Sequence, residues 1–194
     1  MSRRGIRFVL AVALVLGLAI ASLAVAATRD HGKGNQSATQ FTAFLNGHNE
    51  TPSVHTNGTG KLTLTINADN TMSYTLTYSG LNTPAQIAHV HLGQPNVPGG
   101  IVFWLCGGGS KATTPCPAGT TTPATVTGTV AASDVVLQPT QGIINAGDLA
   151  GIVQEIRAGF AYANVHTTSS PGGEIRGQLS SHGDEQGDDD NDQD

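Results

Sequence analysis

The sequence predicts an all-β fold, an antiparallel Greek-key sandwich or barrel that carries one short inserted helix. Three features predict it. Two neighbouring stretches alternate strictly between apolar and polar residues across a short polar turn. Several more short apolar stretches follow, each bounded by Gly, Pro, Asn or Ser clusters. Nowhere do strand and helix patterns alternate as a parallel sheet would require.

The first strand is expected over residues 40–46. The second, 59–66, sets Leu62, Leu64 and Ile66 on one face and Lys61, Thr63 and Thr65 on the other. Residues 67–70 (NADN) supply turn chemistry. A third strand over 71–79 then sets Met72, Tyr74, Leu76 and Tyr78 against Ser73, Thr75 and Thr77. The pair reads as a hairpin with one buried and one solvated face. Further strands are expected over 87–92, 101–106, 125–130, 160–167 and 174–180. One segment departs from period two: Leu149, Ile152, Val153 and Ile156 recur at helical spacing. Asp148 lies near its start, Arg157 lies in its last turn and Gly159 is placed to end it.

Both ends of the chain differ from this middle. Arg3, Arg4 and Arg7 precede an apolar run over 8–20, and Ala24-Val25-Ala26 closes a small-residue stretch. This is the layout of a signal peptide over residues 1–27, followed by a linker over 28–38, a β domain over 39–181 and an acidic, disordered tail over 182–194. Seven of the fourteen acidic residues fall between 184 and 194. Residues 39–181 carry four Lys/Arg against six Asp/Glu, so no basic patch offers itself to nucleic acid. No segment after the leader is apolar enough to span a membrane. In an exported chain, Cys106 and Cys116 are expected to pair as a disulfide closing a Gly/Thr/Pro-rich loop. Nucleophile elbows, phosphate-binding loops, dinucleotide fingerprints and H-E-x-x-H are all missing.

Two constellations could carry chemistry. His89-Val90-His91 lies on a predicted strand, so both imidazoles project from one face roughly 7 Å apart. Two imidazoles at that spacing can converge on one metal ion. His166 is a third candidate, sharing a strand face with Phe160, Tyr162 and Asn164, and three imidazoles without a thiolate suit copper or zinc. The second constellation is residues 170–178, SPGGEIRGQ. Its Pro-Gly-Gly forms a tight turn that requires positive φ. Glu174, Arg176 and Gln178 then share one strand face, read as a Glu–Arg pair on the solvated side. Alternatively, Arg176 holds a carboxylate such as Glu50, or an anion, beside the histidines.

Residues 41–52 (FTAFLNGHNETP), 74–81 (YTLTYSGL), 88–93 (AHVHLG), 162–167 (YANVHT) and 171–178 (PGGEIRGQ) together resemble the CHRD domain family. That family comprises the module repeated in chordin and found alone in exported bacterial proteins. The family pattern usually has paired prolines after the glutamate; here Ser53 follows Pro52. The resemblance implies an immunoglobulin-like or related β-sandwich working outside the cytoplasm, with no established reaction. More distantly, the order of His89, His91, His166 and Arg176 is similar to that of the copper ligands and active-site arginine of copper–zinc superoxide dismutases, although their zinc-binding loop is not recognisable here. The leading expectation is thus an exported, non-enzymatic module that binds an extracellular macromolecule or serves the cell envelope. The alternative is a copper- or zinc-binding, dismutase-like redox protein built on the three histidines.

Overall fold

A computed structural model describes residues 38–181. The expected signal peptide, nearly all of the expected linker and the acidic tail lie outside the described residues. Eight strands form one antiparallel sheet: β1 (Gln40–Asn46), β2 (Thr59–Ile66), β3 (Met72–Ser79), β4 (Ala85–Leu92), β5 (Ile101–Cys106), β6 (Ala124–Val130), β7 (Ala161–Thr167) and β8 (Ile175–Gln178). Their order in the sheet is β5-β4-β7-β8-β1-β2-β3-β6. The interleaving of early and late strands is what a Greek-key path requires.

The hairpin of β2 and β3 pairs from Thr59↔Ser79 to Ile66↔Met72, in the register that keeps the apolar residues on one face. Its turn closes through Asn67 N donating to Thr71 O at 2.9 Å. Leu62, Leu64, Met72, Tyr74, Leu76 and Tyr78 are all buried, and they face Ala88, Val90, Val165 and Ile175 within one continuous core. The expected helix is α1 (Leu149–Arg157). Asp148 caps it by accepting from Gly151 N at 2.9 Å, and its buried stripe is Leu149, Ile152 and Ile156. Among the described residues no helix is long and apolar enough to cross a membrane.

The sheet curls until β5 and β6, its two ends, approach each other. The barrel is nearly closed across this seam without a backbone ladder. Tyr74, on β3, donates its buried hydroxyl to Leu105 O on β5 at 2.7 Å. Cys106, the last residue of β5, is bonded to Cys116, with Cα atoms 5.2 Å apart. This disulfide fits an oxidising compartment. Gly108 and Gly109 in the loop it closes lie so close to the Trp104 ring that a Cβ on either would collide with it.

Tyr74→Phe deletes the hydroxyl and leaves the Leu105 carbonyl buried without its donor. Urea unfolding should show a loss of roughly 1–3 kcal/mol. An unchanged midpoint would mean that water serves that carbonyl equally well.

Candidate functional site

Outward-facing side chains of β4, β7 and β8 are expected to meet water, because the inward ones fill the core. Instead they are buried. Loops over residues 47–58, 93–100 and 168–174 cover this part of the outer face, creating a second, polar interior layer. His89, His91, Asn164, His166, Glu174 and Arg176 all belong to it. The register aligns His89↔Asn164 and Asn164↔Arg176, so three strands contribute one cross-strand row. Trp104 pairs with His89 from the other side.

The three predicted histidines converge. Their nearest ring nitrogens all lie within 4.8 Å of one another, so some point is no more than about 2.8 Å from each. Ring centroids of His89 are 4.5 Å from both His91 and His166. Two carbonyls orient the rings. His91 Nδ1 lies 2.8 Å from Gly99 O, and His166 Nδ1 lies 2.9 Å from Pro171 O. A carbonyl only accepts, so in the neutral ring the proton resides on Nδ1 and the Nε2 lone pair is left for another partner. For His91 that nitrogen lies 3.2 Å from Asn164 Oδ1, which also only accepts, so its lone pair too is left without a donor. For His166 it has no hydrogen-bond partner, and neither does His89 Nδ1; both atoms are buried. An unpaired buried polar atom costs roughly 1–3 kcal/mol. Orphaned nitrogens in a cluster where two of the rings are anchored through Nδ1 fit a metal ion, because ligand imidazoles characteristically donate their second N–H to a carbonyl or carboxylate. Bonds near 2.0–2.1 Å would require the rings to draw in by less than an ångström.

Aromatic side chains frame the cluster. Trp104 meets His89 edge-on at 4.9 Å. Tyr162 stacks on His91 at 4.7 Å, nearly parallel, and the Arg176 guanidinium lies 3.4 Å above the Tyr162 ring. Arg176 departs from the pair expected on a solvated face. It is 3% exposed, and its Nη2 donates to Gln94 O and Val97 O, each at 3.0 Å. Lys111–Asp134 is the only ion pair among the described residues, so Arg176 binds neither Glu174 nor Glu50 directly. Glu174 is wholly buried and accepts from Thr56 Oγ1, Asn82 N and Thr167 Oγ1 at 2.6–2.7 Å. The local pattern marks both residues as outward, and the outward face here lies beneath loops.

Glu50 is buried in the same layer. Burial pushes its carboxyl up to about 7, against the opposing charge of Arg176. Gly173, at φ +123°, packs on this carboxylate where a Cβ would collide with it. The imidazoles shift the other way. Burial, reinforced by the two neighbouring rings, holds His89 down to about 2. Burial lowers His91 to about 4, against the pull of Gly99 O, and also lowers His166. His48 and His55 are exposed and take no part in the cluster. Asn164, Tyr162 and Trp104 are the participants that sequence reasoning did not single out. Only Tyr162 and Asn164 had a local signal, sharing a strand face with His166.

These features define a disulfide-bonded, all-β module with a buried polar site on its outer face. The CHRD domain family model matches residues 41–179, and the chain belongs to that family. No curated protein matches it significantly, and neither does any solved structure.

In the metal-free protein the shifts predict acid lability. A histidine held below its unfolded value of about 6.5 contributes stability above that pH and loses it as the pH falls. Glu50, held above its unfolded value, acts in the opposite sense, losing stability as pH rises toward about 7. His89 and His91 together outweigh Glu50 by one proton between about pH 6.5 and about pH 4.5, and the lowered His166 adds in the same direction, so the unfolded chain binds more protons than the folded one over that window. Denaturant titrations should show stability falling on the order of 1–3 kcal/mol per pH unit over that window. Replacing His89 and His166 by Gln should flatten the dependence, since His91 and Glu50 then nearly cancel.

Proposed function

We propose that this chain is exported, loses residues 1–27 and works outside the cytoplasm as a non-enzymatic CHRD module holding one copper or zinc ion. His89 Nδ1, His91 Nε2 and His166 Nε2 are the ligands of this reading. One observation carries it: His89 Nδ1 and His166 Nε2 are buried without partners in a three-ring cluster in which His91 and His166 are tied to carbonyls through Nδ1. The donor set is three neutral imidazoles, which suits copper or zinc and is poor for calcium or magnesium. When bound, copper would supply a one-electron couple and zinc a Lewis acid. The residues of the chain orient the lone pairs of His91 and His166, exclude most water and keep the rings unprotonated at neutral pH. Export is supported by the basic and apolar N-terminus with its A-x-A stretch and by the Cys106–Cys116 bond.

The test of metal binding uses the only tryptophan in the chain, Trp104, whose ring touches His89. Cu(II) should quench its fluorescence at one equivalent, and calorimetry with Cu(II) or Zn(II) should give one site. In His89→Ala/His91→Ala, affinity should fall by more than about 100-fold. Equal heats in the two proteins would end the metal reading. For export, mass spectrometry of protein from the culture medium or periplasm should find a mature chain starting near residue 28. An intact N-terminus on protein from that fraction would contradict cleavage.

A further inference from the structure

On the opposite side of β8 from the cluster, the outer faces of β1 and β8 form a separate cleft of about 490 Å³, within the ~300–1,000 Å³ of small-ligand sites. Its floor is built from cross-strand pairs. Thr42 bridges Ser180 and Asn46 pairs with Arg176, and the same register sets Phe44 opposite Gln178. We propose that this cleft binds a neutral oligosaccharide, with the Phe44 ring as its platform.

The ring of Phe44 is 49% exposed in the middle of a strand whose inward neighbours, Ala43 and Leu45, are fully buried. A solvent-facing aromatic ring offers an apolar surface for stacking. The polar groups on either side of it are held in fixed orientations. Asn46 Oδ1 accepts from Asn49 N at 3.1 Å, which turns the Asn46 amide NH₂ away from the backbone as a donor. Gln178 Nε2 donates to both Gly93 O and Gly159 O, at 2.9 and 2.8 Å, which leaves its Oε1 as an acceptor. A fixed donor and a fixed acceptor flanking an apolar ring match a sugar, whose hydroxyls both donate and accept and whose C–H face is apolar.

Charge selects against other occupants. No carboxylate lines the cleft, and its one cation, Arg176, is buried with Nη2 committed to two carbonyls and its plane stacked on Tyr162. Among the residues lining the cleft an anionic chain would find no available countercharge. A second protein would find only Phe44 and Pro95 as apolar surface among amides and hydroxyls, without the apolar centre that protein interfaces need. Lys61 approaches the Phe44 ring at 5.4 Å from β2, on the far side from the cleft floor.

The test is calorimetry on the folded mature protein with hexasaccharides of β-1,4-linked glucose, β-1,4-linked N-acetylglucosamine and α-1,4-linked glucose, alongside oligogalacturonate as the anionic comparison. At least one neutral hexasaccharide should bind saturably at one site. Phe44→Ala should weaken it by about tenfold or more, Phe44→Trp should keep it, and Thr127→Ala, on the far side of the barrel, should leave it unchanged. Asn46→Asp retains an acceptor for Asn49 N while removing the donor, and it too should weaken binding. The proposal is overturned if no neutral hexasaccharide binds, if oligogalacturonate binds most tightly, if Phe44→Ala binds like the unaltered protein, or if Phe44 proves to mediate a concentration-dependent dimer.

Discussion

Glu174 fastens the cover of the outer face. Both of its oxygens accept hydrogen bonds, from Thr56 in the loop after β1, from the Asn82 backbone in the connection after β3, and from Thr167 at the end of β7. A carboxylate removed from water is tolerated only where such partners replace its hydration. Here the replacement draws three segments, distant in sequence, to one point. The loop held through Thr56 carries Glu50, and the turn beside Thr167 carries the Pro171 carbonyl that orients His166. Without this anchor the loops over residues 47–58 and 168–174 would lose a shared hold on the sheet, and His166 would lose its cover and the partner of its Nδ1.

The local pattern made the barrel legible and left its cover hidden. Strands β1, β2 and β5 match their expected bounds, and the others differ by at most two residues at an end, because period-two burial is a property of neighbouring residues. The same period placed His89 and His91 on one face, and it placed His166 with Asn164 and Tyr162. It could not show that this face is buried. That depends on how loops of a dozen residues or fewer fold back across the sheet, which no periodicity encodes. The reading of Glu174 and Arg176 as a solvated pair fails for this reason: their alternation was right, and the solvent assumed beyond it is occupied by residues 47–58 and 93–100. The contact of Trp104 with His89 was equally hidden, since it requires the pairing register of two strands.

The interior polar layer is stabilised by precise placement of partners. Arg176 illustrates this. Its guanidinium satisfies two loop carbonyls and lies flat on Tyr162, whose hydroxyl accepts from Gly99 N at 3.1 Å, while Gly99 O in turn faces His91. The loop over residues 93–100 is thereby bound to the sheet by the same groups that position a candidate ligand ring. Positive charge held this close also disfavours protonating His91, so the loop anchor contributes to keeping that ring neutral. Structure and site share their interactions here, and a substitution at Arg176 would disturb both.

The two halves of the barrel carry different outward residues on the same inward plan. On β2, β3 and β6 the outer face is largely threonine, aligned as Thr63↔Thr75↔Thr127 and Thr77↔Thr125. Threonine suits a pleated surface in contact with water and makes no demand for a covering loop. On β4, β7 and the start of β8 the outward positions beneath the loops are chiefly His, Asn, Tyr and Arg, side chains with several directional hydrogen-bonding groups and, in open solvent, no advantage over threonine in a strand. Their choice is intelligible only if partners lie above them. Residue type at outward strand positions thus distinguishes a face left bare from a face that is covered, and this part of the site's location is present in the sequence even where the covering contacts are not.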